Sequence, residues 1–323
     1  MQICGTPGHE DSRGSEDRSD RTGERFDTNR HSAFLLRDIV VQNTCTAGYE
    51  VSTVISSIPF WKLLRLGALF LLPQTDPSGH WNDPPFSVTP EMLRQQAESV
   101  PGDKHSDATV LLNDIRFAFD ESGGLVETRH LIYRIENQEG VGNWAQISSE
   151  WEAWHQSKPE IKAQVITLDG TEHWLDQNTL ADFPVHEDSP DVYSDERKFG
   201  GPLPAVAPGA IVEEQEIVRD TAPLFAAGTV HRRGFAWNVP VNATRVTLSH
   251  PSSLPLRYEV HLLPEAKLTK KTDNGVETIT LEQGSLSAFT ERIEQTPGDV
   301  VVFPEIEFST GTSWQSVASC DDR

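Results

Sequence analysis

The apolar residues of this chain alternate with polar ones over much of its length. From residue 108, in ATVLLNDIRFAFD, Leu111, Ile115, Phe117 and Phe119 fall on one side, and Asp114 and Arg116 on the other. A Glu-Ser-Gly-Gly turn at 121–124 follows. In LVETRHLIYRIEN, Leu131, Tyr133 and Ile135 then share a side. Two period-two runs about a glycine turn predict a β-hairpin. Shorter runs predict strands over 161–168, 171–175, 211–218, 230–239, 244–248 and 257–263. A closing hairpin is expected from 276–281 and 285–292, with Asp273-Asn274-Gly275 as a turn. A helix is signalled: Thr89 can cap it, Pro90 at its first position loses no hydrogen bond, and it should run through Met92, Leu93 and Ala97 before Pro101-Gly102 stops it; 313–318 reads as the first turn of another. Many short strands with few helices predict an all-β fold, an antiparallel immunoglobulin-like β-sandwich with a short N-terminal helix.

The stretch 191–219 organises this pattern. Its Gly200, Gly201, Pro202, Pro204, Pro208 and Gly209 read as an ordered crossing, not a strand. Beyond it, Ile211, Glu213, Gln215 and Ile217 occupy one side of a strand, and Val212, Glu214, Glu216 and Val218 the other.

The flanks differ in character. Residues 1–53 are a mixed-charge tract poor in apolar residues, expected to be a disordered or mis-called N-terminal extension. Residues 54–75 read as a signal-peptide-like or anchor segment: Lys62 and Arg65 are positive, 66–72 is apolar, and the stretch is too short to span a bilayer. No Ala-x-Ala cleavage site follows it. A natural start near Val54 implies an exported chain, periplasmic or of the cell envelope; a start at Met1 implies a cytoplasmic one. The remaining divisions expected are a linker and short helix over 76–107, the sandwich over 108–296, and a connector over 297–323.

Charge narrows the partners. A formal net charge of −22 over 323 residues argues against nucleic acid, which needs a basic face. Contact with a membrane is expected only through 54–75. Cys4, Cys45 and Cys320 match no zinc spacing and cannot all pair with one another. His130, His155, His173, His186, His250 and His261 show no metal-ligand spacing either. A serine nucleophile elbow and a phosphate-binding glycine loop are both missing from the sequence. No catalytic residue, cofactor or metal ligand is therefore expected. Trp144, Trp151, Trp154 and Trp174 read first as core or sandwich-edge packing, and second as an aromatic platform. Asp191, Asp195 and Glu196 lack a spaced calcium loop, so pairing with Arg197 or Lys198 is the simpler expectation. His231-Arg232-Arg233 reads as a solvated basic strand face.

Several of these segments, in order, carry a family likeness. They are the opening hairpin, then WEAWHQSKPEIKAQVITLDG with Trp151, Trp154, Pro159, Ala163, Asp169 and Gly170. Next comes VYSDERKFGGPLPAVAPGAIVEEQE with Tyr193, Asp195, Arg197, Pro204, Pro208, Gly209 and Glu213. Val239-Pro240 and FSTGTSW close the series. On them, residues 108–318 resemble the N-terminal β-sandwich domain of unknown function that precedes the catalytic core in bacterial transglutaminase-like proteins. In such proteins a segment like 309–314 leads into a core bearing a Cys, His and Asp triad. The resemblance implies a non-catalytic accessory domain that positions such a core, in cis or in trans, or presents protein or peptide substrate to it. Cys320 lies in SCDDR, where neighbouring aspartates raise a thiol pKa, and no catalytic role is expected of it. The expected interaction surface is Trp151, Trp154, Tyr193, Asp195 and Arg197. Two further readings stand beside this one: a free-standing exported module that binds glycan or protein, and a gene fragment without function.

Overall fold

The computed structural model describes residues 79–185, 195–225, 228–290 and 300–311. The extension 1–53, the segment 54–75 and Cys320 lie outside the described residues. The chain opens with a 3-10 turn at Gly79–Asn82 and helix α1 at Pro90–Ser99. Next come β1 (Ala108–Phe119), β2 (Leu125–Ile135), helix α2 (Gln138–Trp144), β3 (Gln146–Glu152) and β4 (Gln156–Ile166). After them lie β5 (Glu172–Trp174), β6 (Ala181–Pro184), β7 (Glu196–Pro202), β8 (Ile211–Asp220) and β9 (Val230–Gly234). The last strands are β10 (Thr244–Pro251), β11 (Arg257–His261), β12 (Lys267–Asp273), β13 (Val276–Gln283) and β14 (Glu305–Ser309).

The fold is mostly β, as expected. One eight-stranded sheet runs β12-β13-β10-β1-β2-β8-β4-β5, and two three-stranded sheets, β3-β7-β6 and β11-β14-β9, complete the strands. All named pairings are antiparallel except β1 with β10, which is parallel. Both small sheets cover the same face of the large one, side by side. Under β3-β7-β6 lie Val110, Leu131, Tyr133, Ile161, Val165 and Val212, with Ile147 from above. Under β11-β14-β9 lie Ile115, Phe117, Val246, Leu248 and Ile279, with Ile306 and Phe308 from above. The opposite face is covered by Trp81 and α1, whose Leu93 and Ala97 pack on Leu111, Leu112, Ile132, Ile166 and Ile211.

Helix α1 is fixed at both ends. The Thr89 side chain accepts from the Met92 amide, and Pro90 starts the helix. At the other end Arg134, on β2, donates from Nη1 to the Ala97 carbonyl at 2.6 Å and so occupies a terminal acceptor. The region 79–86, expected as linker, is thus part of the packed body through buried Trp81.

Several local expectations require correction. The register of β1 shifts between Val110 and Leu112, so Leu111 turns to the α1 face and parts from Ile115, Phe117 and Phe119. The closing hairpin is not 276–281 with 285–292. It is β12 with β13 about Asn274 and Gly275, both at positive φ, as a tight hairpin turn requires. Alternation is hidden in β12 because all its residues are exposed. Glycines 200 and 201 do not mark a crossing outside a strand. They belong to β7, where a Cβ on Gly200 would lie 2.3 Å from the Ile147 carbonyl oxygen, so glycine permits the close approach to β3. The turn proper is later, with Gly209 at φ +82°.

His231-Arg232-Arg233 is a solvated face only at Arg232, which is exposed; His231 and Arg233 turn inward. Arg232 pairs with Glu305 and Glu307, and Arg233 pairs with Glu127. The His231 ring stacks on Phe308 at 5.2 Å between centroids and tilts against Phe117 and Phe119. Burial among these rings, aided by the Arg233 charge, lowers its pKa to about 4. An unfolded histidine takes up its proton near its ordinary pKa, the folded one only near pH 4. Folding should therefore weaken as pH falls from about 6.5 to about 4, by roughly 2–3 kcal/mol from this group. Urea unfolding across that range should show this loss, and His231→Phe, which keeps the stack, should remove it; an equal loss in both proteins would exclude His231 as its source.

Candidate functional site

The turn between β3 and β4 builds an exposed aromatic corner. Trp151 and Glu152 end β3 opposite Arg197 and Glu196 of β7, which brings the start of β7 beside the turn. Trp154 projects from the turn, 58% exposed. Its backbone N–H donates to Asp195 Oδ2 at 3.0 Å, and its indole Nε1–H donates to Glu152 Oε2 at 3.1 Å. The ring meets His155 edge-on at 4.4 Å. An exposed indole is thus held by one hydrogen bond through its ring nitrogen, on a backbone held by another.

His155 is buried behind it and anchors the turn to β8. Its carbonyl accepts from the Thr221 N–H at 2.7 Å and the Thr221 hydroxyl at 2.8 Å. Its Nε2 lies 2.9 Å from Glu152 Oε2, and its Nδ1 lies 3.7 Å from Asp220 Oδ1. Asp220 accepts from the Leu125 N–H at 3.1 Å and Gln156 Nε2 at 3.2 Å. Burial raises its pKa despite those bonds.

The expected surface residues divide. Trp154 and Asp195 meet directly. Trp151 lies beside them, half-buried within the β3–β7 pairing. Arg197 turns away and donates to Asp182 Oδ1 at 2.8 Å, next to Lys158. Lys198 pairs with Glu150. Neither cation pairs with Asp195, so the simpler expectation does not hold for that residue. Tyr193, Asp191 and His186 lie outside the described residues. Trp144 is core, packed on Tyr133 and Trp237. Trp174 is half-exposed on the far side of the sheet, with the Lys162 ammonium 4.8 Å from its ring. Among the described residues, no group of three or more His, Cys, Asp or Glu could hold a metal ion.

Sequence reasoning missed a second polar centre, on the α1 face. Glu213, 2% exposed, is opposite Gln164 on β4 and diagonal to His130 on β2. His130 Nε2 lies 2.8 Å from Oε1, Gln164 Nε2 donates to Oε2 at 2.6 Å, and the Phe86 N–H donates to Oε1 at 2.7 Å. Phe86 holds φ +60°, an uncommon conformation for a side chain of its size. Its ring caps the centre, 6.4 Å from His130 and 5.5 Å from Trp174. The available signal was an acid among apolar neighbours in IVEEQEIV. Its partners, 127, 83 and 49 residues away in sequence, could not be read from spacing.

The model of the family described as "Domain of Unknown Function with solved-structure structure (DUF3857)" matches residues 121–290. The chain belongs to that family. The folded unit of this DUF3857 chain reaches further back, since β1 sits between β10 and β2 inside the large sheet. No curated protein matches the sequence. Among solved structures, a "putative protease" from Parabacteroides distasonis ATCC 8503 shares the fold. Its TM-score is 0.60 at 14% identity, over 67% of this chain and 43% of that one. An M1 zinc metallopeptidase from Deinococcus radiodurans matches at TM-score 0.33 and 13% identity, over 63% of this chain and 42% of that one, too low to carry an argument. The DUF3857 chain thus spans less than half the length of these two solved proteins.

Removing the Glu213 carboxylate would strand three donors in a buried site. Glu213→Ala should cost about 3–5 kcal/mol in chemical unfolding, and Glu213→Gln, which keeps an acceptor, distinctly less. Equal, small losses in both would show that the centre contributes little.

Proposed function

We propose that this DUF3857 chain is a non-catalytic accessory domain of a transglutaminase-like, exported protein, positioning a catalytic core or presenting protein or peptide substrate to it. The observation that carries the reading is the fold match to a protein called a putative protease, of which the likeness occupies only 43%. A sandwich of this kind accompanies other material in that chain. The ordered motifs, from the opening hairpin to FSTGTSW, supply the transglutaminase-like half of the reading. The Trp154 corner supplies a contact surface: a rigid exposed aromatic is the kind of group on which interface energy concentrates.

A free-standing glycan- or protein-binding module is the second reading, favoured by the same exposed indole. Activity assays separate an accessory domain from an enzyme. The chain alone should turn over neither peptide nor amine substrates of a transglutaminase or protease; turnover that Cys320→Ala abolishes would overturn the proposal.

A further inference from the structure

The corner around Trp154 gathers carboxylates without a lysine or arginine beside them. Each nearby cation is committed elsewhere: Arg197 and Lys158 to Asp182, Lys198 to Glu150, and Arg219 to Glu160. Among the described residues, no lysine or arginine reaches ion-pair distance of Glu152, Asp195 or Asp220. The partners of these three are histidine, amide and indole donors. Glu152 and Asp195 each spend one carboxylate oxygen on Trp154. Behind them His155, 4% exposed, faces Asp220 with an Nδ1 that makes no hydrogen bond.

We infer that this corner docks a cationic segment of a partner protein, a lysine or arginine side chain lying over the Trp154 ring with its charge toward Glu152 and Asp195. An indole face attracts a cation through its quadrupole, and the flanking carboxylates add a directional charge. The indole N–H is already held by Glu152 and the backbone N–H by Asp195, which limits the entropy left to lose on binding. The net charge of −22 steers a basic segment toward the domain, and the corner gives it a place to stop. The inference names the chemistry of the surface used in the preceding proposal, and it holds for any basic partner, a catalytic core or a substrate.

The test needs neither. A short fluorescein-labelled peptide of alternating lysine and glycine is titrated into the full chain at low salt, followed by fluorescence anisotropy. It should bind, and added salt should weaken it. Trp154→Ala should lower affinity about tenfold. Asp195→Asn should lower it in the same direction, and acetylating the lysines should abolish it. Glu282→Gln, on β13 at the far side of the large sheet, should change affinity by less than about twofold, which separates the corner from the general acidity of the chain. No binding by the wild type, equal affinity for the acetylated peptide, or equal effects of Trp154→Ala and Glu282→Gln would each overturn the inference. A failed activity assay on the chain alone would leave it standing, so the two proposals fail separately.

Discussion

Strand β8 is buried on both faces and hides carboxylates on both. Its sequence IVEEQEIV places like residues in adjacent positions: Ile beside Val, and Glu213 beside Glu214. Slipping a strand by one residue moves every side chain to the other face. Here such a slip would be nearly silent on one face, where Val212, Glu214, Glu216 and Val218 would take the places of Ile211, Glu213, Gln215 and Ile217; on the other face it would put Glu213 in the place of Val212 and Ile217 in the place of Glu216. The hydrophobic pattern therefore marks the register of this strand on one face only. What distinguishes the two faces is the partners. On the α1 face Glu213 meets His130, Gln164 and the Phe86 amide. On the sandwich face Glu214 lies by the Tyr133 hydroxyl, and Glu216 pairs with Arg129. Buried ion pairs add little net stability, but an acid in the wrong place is costly. The carboxylates of β8 act here as register pins.

The remaining architecture follows from that strand being in place. It joins β2 to β4, so the β3–β7 sheet has a floor. Its last residue, Asp220, and the following Thr221 hold His155 and with it the β3–β4 turn. The surface on which Trp154 stands is thus set by the far end of the strand whose beginning carries Glu213. A single element links a buried polar centre to an exposed aromatic corner.

The sequence made the strands visible where one face was dry and the other wet. The alternation in β1 and β2 and the two-sidedness of β8 were legible, as was the Thr89-Pro90 start of α1. Legibility failed where the physics left no local trace. Strand β12 lies at a sheet edge with both faces exposed, so it shows no alternation. Gly200 and Gly201 read as a turn because glycine serves equally in turns and in close backbone approach; only the neighbouring β3 carbonyl decides between them. Trp154 and Asp195 could be named from composition and likeness. The roles of His155, Asp220 and Arg197 could not, since each depends on a partner distant in sequence.

The most direct test of the register argument is residue-resolved amide hydrogen exchange in the double variant Glu213→Ala/Glu214→Ala, compared with the wild type. If carboxylate partners set the register, amides of β8 and its neighbour β4 should lose protection while the β10–β13 pairing keeps its own. Wild-type protection along β8 in the double variant would contradict the account.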